Sequence, residues 1–294
     1  MSIFKGVGTA VCTPFLENGD FNRTAYEKLI NFQLQNGVDA IVTCGTTGEV
    51  STLNNDEHLE VARAAVEIVN GKVPVIAGAG GNDTRNILLL SKALQKHGVD
   101  GLMLVTPYYN KTSQRGLVEH YTMVAKAVDL PIVMYNVPGR TGLNMLPKTV
   151  AALSKIENIA AVKEASGNIV QVTEIKELCG DNITIYSGND DYVVPVLSVG
   201  GSGVISTIGN IAPQQMHDLV MAYLNGDVKA SLKKQLDMLP LVRALFADVN
   251  PIPVKEALNI MGFKAGPCRR PLTNVDESLK TTLTAEMRNY GLIK

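Results

Sequence analysis

Hydrophobic runs of strand length recur along the chain at nearly regular intervals. They begin near Val7, Ala40, Pro74, Gly101, Pro131, Ile159, Ile183 and Gly203. Most of them lie about thirty residues apart, which is the size of one βα unit. A loop and then a segment of helical amphipathic periodicity follow each run. The runs are near-continuous rather than alternating, which is typical of parallel strands that are covered on both faces.

Glycine and proline mark the ends of these segments. A glycine follows several helical patterns at the position where helices end in a left-handed residue, namely Gly37, Gly71, Gly98, Gly180 and Gly226. The segments 37–39 and 98–100 both read Gly-Val-Asp and predict the same helix-to-strand joint used twice. Pro74 and Pro131 stand at the first residue of a predicted strand, where proline is tolerated.

Eight βα units favour a (β/α)₈ TIM barrel of the α/β class over an open doubly wound sheet. The first strand ends in segment 12–15, which lacks the glycine pattern of a dinucleotide-binding loop. We expect the glycine-rich segment 78–81 to form a tight turn. From Asp227 onward the pattern predicts three further helices, with breaks at 250–253 and 266–267. The predicted organisation is a catalytic barrel over residues 1–226 and a C-terminal helical appendage over 227–294.

Composition excludes several classes of function. The 294 residues carry a net charge of −1 and are 46% hydrophobic, which favours neither nucleic-acid binding nor an anionic membrane surface. No apolar run reaches the ~18 residues of a membrane span, and the N-terminus does not resemble a signal peptide. The four cysteines and four histidines are dispersed, without metal-ligand spacing. We therefore expect a cytoplasmic protein with reduced thiols and without a metal site.

Lys163 stands near the end of the sixth apolar run, segment 159–164. In a strand it shares a face with Ala161 and lies opposite Val162 and Glu164, so Glu164 is not its same-face partner. Burial lowers the pKa of an amine, and a neutral lysine can form an imine with a carbonyl substrate. The alternative is a lysine at the strand edge whose ammonium reaches solvent.

Active sites of TIM barrels lie at the C-terminal ends of the strands. The strand ends here carry the amine of Lys163, several tyrosines and threonines, and Arg140. Hydroxyl groups can relay protons to an imine without adding a charge that would repel it. Segment 45–48 offers backbone N–H groups and hydroxyls for a carboxylate, and Arg140 offers a bidentate clamp for a second one. These groups together match a reaction in which a 2-oxo acid condenses with an aldehyde that carries its own carboxylate.

Each of these residues also has a simpler interpretation. Tyr135 could belong to the core, and Tyr108 and Tyr109 could form an exposed or interface patch. Segment 45–48 could be a turn that leads into a helix, and Arg140 could form a surface ion pair. We interpret Asp190 and Asp191 as acids at a helix N-terminus. Two acids after the seventh strand argue against a phosphorylated substrate.

Four segments resemble the signatures of the 4-hydroxy-tetrahydrodipicolinate synthase (dihydrodipicolinate synthase) family, within the pyruvate-dependent class I aldolases. They are segments 45–49, 108–109, 135–142 and 162–167, and the likeness extends to 250–255. The resemblance implies a lyase that condenses pyruvate with L-aspartate 4-semialdehyde through a lysine Schiff base, in lysine and diaminopimelate biosynthesis. It implies no cofactor or metal and a homotetramer built as a dimer of dimers.

The resemblance also assigns roles to residues. The implied catalytic residues are the Schiff-base lysine and three members of a hydroxyl relay: Lys163, Tyr135, Thr46 and Tyr109. In the family the equivalent of Tyr109 comes from a neighbouring subunit. The implied substrate-binding residues hold the pyruvate carboxylate, line its pocket or anchor the carboxylate of the aldehyde: Thr47, Gly188, Ile205 and Arg140.

Rival functions remain open. One is an aldolase that acts on N-acetylneuraminate or a sugar acid, although that branch lacks the arginine found here at Arg140. The other is a non-catalytic barrel that binds an oxo acid. A regulatory difference is also expected. Positions that match the family's lysine-binding allosteric site are Ser51, His58, Asn82 and Tyr108. Asn86 and Asn55 replace a glutamate and a histidine there, so we expect weak or absent inhibition by lysine.

Overall fold

The chain forms a closed barrel of eight parallel strands in the order of the sequence. The structure is a computed structural model, and it describes residues 3–294. The strands are β1 Gly6–Ala10, β2 Ala40–Thr43, β3 Val75–Gly78, β4 Gly101–Val105, β5 Ile132–Asn136, β6 Ile159–Glu164, β7 Thr184–Ser187 and β8 Gly203–Ser206. Each begins within one residue of its apolar run, so the predicted (β/α)₈ architecture is confirmed.

Helices alternate with the strands and then continue beyond them. Those of the barrel are α1 Arg23–Gln35, α2 Asn55–Val69, α3 Thr84–Lys96, α4 Gln114–Ala125, α5 Pro138–Thr141, α6 Pro147–Leu153, α7 Ile169–Cys179, α8 Val193–Ser198 and α9 Pro213–Leu224. Three more form the C-terminal helical region, α10 Val228–Leu245, α11 Ile252–Ile260 and α12 Glu277–Asn289. Short 3₁₀ turns occupy Val50–Thr52, Asp190–Tyr192 and Ile208–Asn210.

The repeated Gly-Val-Asp joint has the same structure at both places. Gly37 and Gly98 adopt φ values of 76° and 81°, as the helix-ending role requires. The carboxylate of Asp39 accepts a hydrogen bond from Val7 N at 2.7 Å, and that of Asp100 accepts one from Val75 N at 2.8 Å. Each joint therefore pins the preceding strand of the barrel at its N-terminal end, which confirms the prediction.

The barrel interior is packed with side chains and closed at the N-terminal end of the strands. Phe4 stacks on Tyr186 with ring centroids 4.3 Å apart. The hydroxyl of Tyr186 donates to the carbonyl of Phe4 at 2.6 Å. Because this end is closed, ligands can reach the interior only from the opposite rim, where active sites of this architecture lie.

The expectation of a tight turn at 78–81 is wrong. Gly78 ends β3, and the chain stays extended so that Ala79 N donates to Met103 O at 2.9 Å. A Cβ at Gly78 would lie 2.1 Å from Cys44 O, and one at Gly80 would lie 2.3 Å from Val105 N. These glycines are needed because neighbouring backbones approach closely, not because the chain reverses direction.

The C-terminal helical region shares a hydrophobic core with the barrel. Leu245, Leu258 and Leu283 are buried in one cluster with Val7 of β1 and Val204 of β8. The three predicted helices are confirmed, while the division into two domains at residue 227 stays a prediction. Along residues 3–294 the helices are all too short or too polar to cross a bilayer. The cysteines are free thiols, as expected.

Candidate active site

Lys163 lies on the inner face of the barrel, one residue before the end of β6. Its neighbours in register are Tyr135 of β5 and Tyr186 of β7. Glu164 points to the outer layer, where it accepts hydrogen bonds from Asn136 Nδ2 at 2.9 Å and Ser166 N at 2.7 Å. The alternation predicted from the sequence is confirmed, and Glu164 is not the partner of the lysine.

The amine of Lys163 lies over an aromatic ring in a buried setting. The side chain is only 6% exposed, and Nζ lies 4.3 Å from the centroid of the Tyr135 ring. Burial lowers the pKa of Lys163 to about 8, the charge of Asp190 opposes that shift, and the charge of Arg140 adds to it. A substantial neutral fraction near physiological pH is what a nucleophilic amine requires. The alternative of a solvated strand-edge lysine does not fit this burial.

Tyr135 and Thr46 form a hydrogen-bonded pair of hydroxyls, and the ring of Tyr135 lies beside the amine. Burial raises the pKa of Tyr135, while Arg140 and a hydrogen bond with the Thr46 side chain oppose that rise. Both residues line a small cavity of about 30 Å³ with Gly45 and Gly80. That volume is enough for a water molecule. The phenol stays protonated at neutral pH and can therefore act as an acid or pass a proton to Thr46.

Asp190 is the carboxylate that sequence reasoning placed at a helix N-terminus. Its Oδ2 accepts hydrogen bonds from Thr207 N at 3.0 Å and Ile208 N at 2.9 Å, so it caps the 3₁₀ turn after β8 rather than its own. Its Oδ1 is buried and has no partner among the described residues. Burial raises the pKa of Asp190. A hydrogen bond with the Ser206 side chain, those from Ile208 N and Thr207 N and, least of all, the charge of Lys163 oppose that rise. The charges of Asp190 and Lys163 therefore favour each other, an interaction that the sequence did not reveal.

Thr47 and Arg140 are linked by a residue of the C-terminal region. Asn250, between α10 and α11, donates from Nδ2 to Thr47 Oγ1 at 3.0 Å. Its carbonyl oxygen accepts from Arg140 Nη2 at 3.2 Å. Thr47 is buried and Arg140 is exposed at the rim. The two candidate carboxylate-binding groups thus meet through Asn250, which the sequence analysis marked as a helix break and as part of the family likeness but gave no role.

Gly188 and Ile205 line the barrel interior next to the lysine. A Cβ at Gly188 would lie 3.2 Å from Lys163 Cε and 2.6 Å from Ala165 Cβ. Ile205 is buried in the same inner cluster as Tyr135. Glycine is therefore required at 188 by the close approach of β6 and the residue that follows it.

Tyr109 does not reach the hydroxyl pair within its own chain. It is 91% exposed, and its backbone adopts φ 69°. The loop around it is held by Asn82 and Asn110, because Asn110 Nδ2 donates to Asn82 O at 2.9 Å and Asn82 Nδ2 donates to Tyr108 O at 3.4 Å. The expectation that Tyr109 serves a neighbouring subunit stays a prediction.

The positions compared with the allosteric site fall into two groups. Those that lie exposed on the surface are Ser51, Asn55, Asn82, Tyr108 and Asn86. His58 is instead buried, with Nε2 2.7 Å from Gly78 O, and burial lowers its pKa. His58 is therefore neutral at physiological pH and supports the end of β3. The expected weakness of lysine inhibition stays a prediction. Across residues 3–294 no cluster of His, Cys, Asp or Glu could hold a metal ion.

A TIM barrel with a buried, partly neutral lysine at its open rim defines a class of Schiff-base enzymes. Residues 3–289 match the model of the dihydrodipicolinate synthetase family. The 4-hydroxy-tetrahydrodipicolinate synthase of Lachnoclostridium phytofermentans is 53% identical over 294 residues, with 100% of both chains covered. The chain therefore belongs to the dihydrodipicolinate synthetase family, and the resemblance drawn from the motifs is confirmed.

Solved structures agree with this assignment. A dihydrodipicolinate synthase from Thermotoga maritima is similar with a TM-score of 0.97 and 44% identity, over 99% of this chain and 100% of that one. A structure described as the first monomeric dihydrodipicolinate synthase variant is similar with a TM-score of 0.97 and 44% identity, over 99% of this chain and 98% of that one. The likeness covers the barrel and the C-terminal helical region alike.

Proposed function

We propose that this protein is a 4-hydroxy-tetrahydrodipicolinate synthase, which condenses pyruvate with L-aspartate 4-semialdehyde in the pathway to diaminopimelate and lysine. The observation that carries the proposal is the amine of Lys163, buried over the ring of Tyr135 at 4.3 Å with its pKa lowered to about 8. Such an amine can attack a ketone at neutral pH, whereas an ordinary lysine is almost fully protonated there.

The first half of the proposed reaction activates pyruvate. Neutral Lys163 adds to the keto carbon, and the resulting carbinolamine loses water to give a protonated imine. Tyr135, hydrogen-bonded to Thr46, supplies the proton that leaves with the water. Loss of a methyl proton from the imine, returned to the same hydroxyls, gives the enamine that acts as the carbon nucleophile. The nearby Asp190 offsets the positive charge on nitrogen.

The second half joins the aldehyde. The enamine carbon attacks the aldehyde carbon of aspartate semialdehyde, whose oxygen takes a proton from the hydroxyl relay. The neutral amino group of the aldehyde substrate then attacks the imine carbon and closes the ring. One of its protons passes to the nitrogen of Lys163, which leaves as the free amine, and the other returns to the hydroxyl relay. None of these reaction steps requires an oxidant, a reductant, a cofactor or a metal, so we propose that none is used.

Two carboxylates must be held during these steps. In the proposal Thr47, Gly188 and Ile205 surround the carboxylate of pyruvate, and Arg140 anchors that of aspartate semialdehyde. Support comes from burial of Thr47 beside the interior and from exposure of Arg140 at the rim, where the second substrate would arrive. A guanidinium binds a carboxylate through two parallel hydrogen bonds.

We further propose a cytoplasmic homotetramer, a dimer of dimers in which Tyr109 completes the hydroxyl relay of the neighbouring subunit. The exposed phenol supports this arrangement, because a tyrosine 91% exposed on a strained loop has no evident use within its own chain. The relatives named above are synthases rather than sugar-acid lyases or N-acetylneuraminate lyases. The rival aldolase and the non-catalytic barrel are therefore less well supported.

The test is turnover with both substrates. Purified protein should consume pyruvate and aspartate semialdehyde in equal amounts. Chromatography of both substrates and of the cyclic product measures this. Lys163→Ala should abolish the reaction, and Lys148→Ala, which removes an exposed lysine of α6, should retain it. Release of pyruvate from N-acetylneuraminate, with aspartate semialdehyde left unchanged, would instead identify the rival aldolase.

A further inference from the structure

Asn250 is a residue of the C-terminal helical region that enters the candidate active site. It is 8% exposed, and it lies between the end of α10 and the start of α11. Its side chain contacts Thr47 and its backbone carbonyl contacts Arg140. These two contacts are made by different parts of the residue, so substitution of the side chain can separate them.

The direction of the side-chain hydrogen bond matters for binding. Asn250 Nδ2 is an amide group that only donates, so Thr47 Oγ1 is the acceptor at 3.0 Å. A hydroxyl has a single proton. Because Thr47 accepts from Asn250, its own proton is free to be donated to another group. The protein acceptor within its reach is Thr207 Oγ1, 3.5 Å from Thr47 Oγ1, which is the limit of a hydrogen bond. The hydroxyl is thus prepared to donate to an incoming anion.

The amide of Asn250 is held in this orientation at a cost. Its Oδ1 is buried and has no partner among the residues that the structure describes. A buried acceptor without a partner is unfavourable, and an apolar side chain of similar shape would avoid the penalty. The penalty indicates that the donor, rather than packing alone, is what this position needs.

A buried ion pair fixes the loop and the helical region to each other. Glu49, two residues after Thr47, pairs with Lys255 of α11 at 2.6 Å, and both side chains are 1% exposed. The second oxygen of Glu49 accepts from Arg269 N at 2.8 Å. The loop after β2 is therefore tied to the C-terminal region at three points, and of these the Asn250–Thr47 contact is the one that faces the site.

We propose that Asn250 is a positioning residue for the first substrate, because it orients the Thr47 hydroxyl to donate to the substrate carboxylate. The proposal rests on the proposed function and adds that the C-terminal helical region forms part of the active site. It predicts a defect in binding pyruvate rather than in the chemistry at Lys163 or in binding the aldehyde.

The test uses Asn250→Asp, an isosteric change that replaces the donor by an acceptor. Thr47 would then donate to Asp and lose its proton for the ligand, and the new charge would repel a carboxylate. We expect the KM for pyruvate to rise about tenfold or more, with kcat within about threefold, because uniform binding is lost rather than transition-state stabilisation. The KM for aspartate semialdehyde should rise less than that for pyruvate, because the side chain of residue 250 contacts Thr47, whereas Arg140 still meets the backbone carbonyl.

Two further variants frame the result. Asp248→Asn is the reverse replacement, of an aspartate by an asparagine, at a partly exposed position two residues away. It should leave all kinetic constants unchanged. Asn250→Ser keeps a small group that can donate, and it should give an intermediate KM for pyruvate. If Asn250→Asp does not fold, Asn250→Ser decides the question alone.

The readout is the pyruvate concentration that gives half-maximal borohydride trapping on Lys163, together with the thermal unfolding midpoint. A wild-type protein that is never labelled contradicts the proposed function itself. Wild-type labelling with an unchanged half-maximal concentration in both folded Asn250 variants contradicts only this inference. So does a fall in kcat and in unfolding temperature with KM for pyruvate unchanged, which would show a purely structural role.

Discussion

The ammonium form of Lys163 is poorly solvated, since the side chain is surrounded by the barrel interior and by the ring of Tyr135. The pKa falls from 10.5 to about 8 for this reason. At ~1.4 kcal/mol per pKa unit, the charged form costs the folded state about 3 kcal/mol at neutral pH. A residue that lowers stability by this amount can be retained where its chemistry is needed for activity.

The first residue-scale prediction concerns stability. Lys163→Met should raise the thermal unfolding midpoint at pH 7 by about 5 °C, because an apolar side chain replaces a charge that burial disfavours. The amine of Lys163 is mostly neutral above about pH 8 in the folded state, and it becomes neutral above pH 10.5 in the unfolded state as well. The gain should therefore shrink as pH rises from 8 towards 10.5. Calorimetry at pH 7 and pH 10 measures it, and an unchanged or lower midpoint at pH 7 would count against the burial argument.

The second concerns pH dependence. The rate of imine formation with pyruvate should rise as pH increases through about 8, since only the neutral amine attacks. Asp190 raises the pKa of Lys163, so Asp190→Asn should move this rise to lower pH. Asp191→Asn, at the exposed neighbouring position, serves as the control. Stopped-flow measurement between pH 6 and pH 9.5 decides the matter; identical profiles for Asp190→Asn and wild type would rule out the charge-balancing role.

At the scale of elements, the strands were predictable because each is a local apolar run with a glycine or proline at its end. Interactions between distant segments were not. Gly78 and Gly80 were misinterpreted as a turn because the backbones that crowd them, at Cys44 and Val105, belong to other strands. Asn250 was given no role in the site, since its contact with Thr47 spans 203 positions of the sequence. Lys163 and Tyr135 were found because both lie at strand ends.

The loop after β2 gives the element-scale prediction. Glu49→Leu or Lys255→Met alone should reduce the free energy of unfolding by about 3–5 kcal/mol, because each leaves a buried charge without its partner. The double variant Glu49→Leu with Lys255→Met should lose much less than the sum. Chemical denaturation of the four proteins completes the cycle, and additive effects would show that the pair does not tie the loop to the C-terminal region.

At the scale of the whole molecule, one chain holds Lys163, Tyr135, Thr46 and Thr47 around the rim but leaves Tyr109 in solvent. The family resemblance implies that Tyr109 is shared with a neighbouring subunit, and its exposure leaves the phenol free to reach one.

A complementation experiment tests the sharing. Tyr109→Phe and Lys163→Ala should each have little activity alone. In a mixed dimer, one site combines an intact Lys163 with an intact Tyr109 from the other chain. Refolding the two together in equal amounts should therefore restore about a quarter of wild-type activity, as random pairing of symmetric dimers gives. Recovery no greater than the sum of the separate variants would place Tyr109 outside the neighbouring site.

The most direct measurement of the central claim is the location of the adduct formed when pyruvate and borohydride are added together. We expect a single reduced pyruvyl group on the peptide that contains Lys163, at pH 8 and without any metal. Lys148→Ala should give the same adduct, and Lys163→Ala should give none. An adduct on another lysine, or no adduct while both substrates are consumed, would contradict the account.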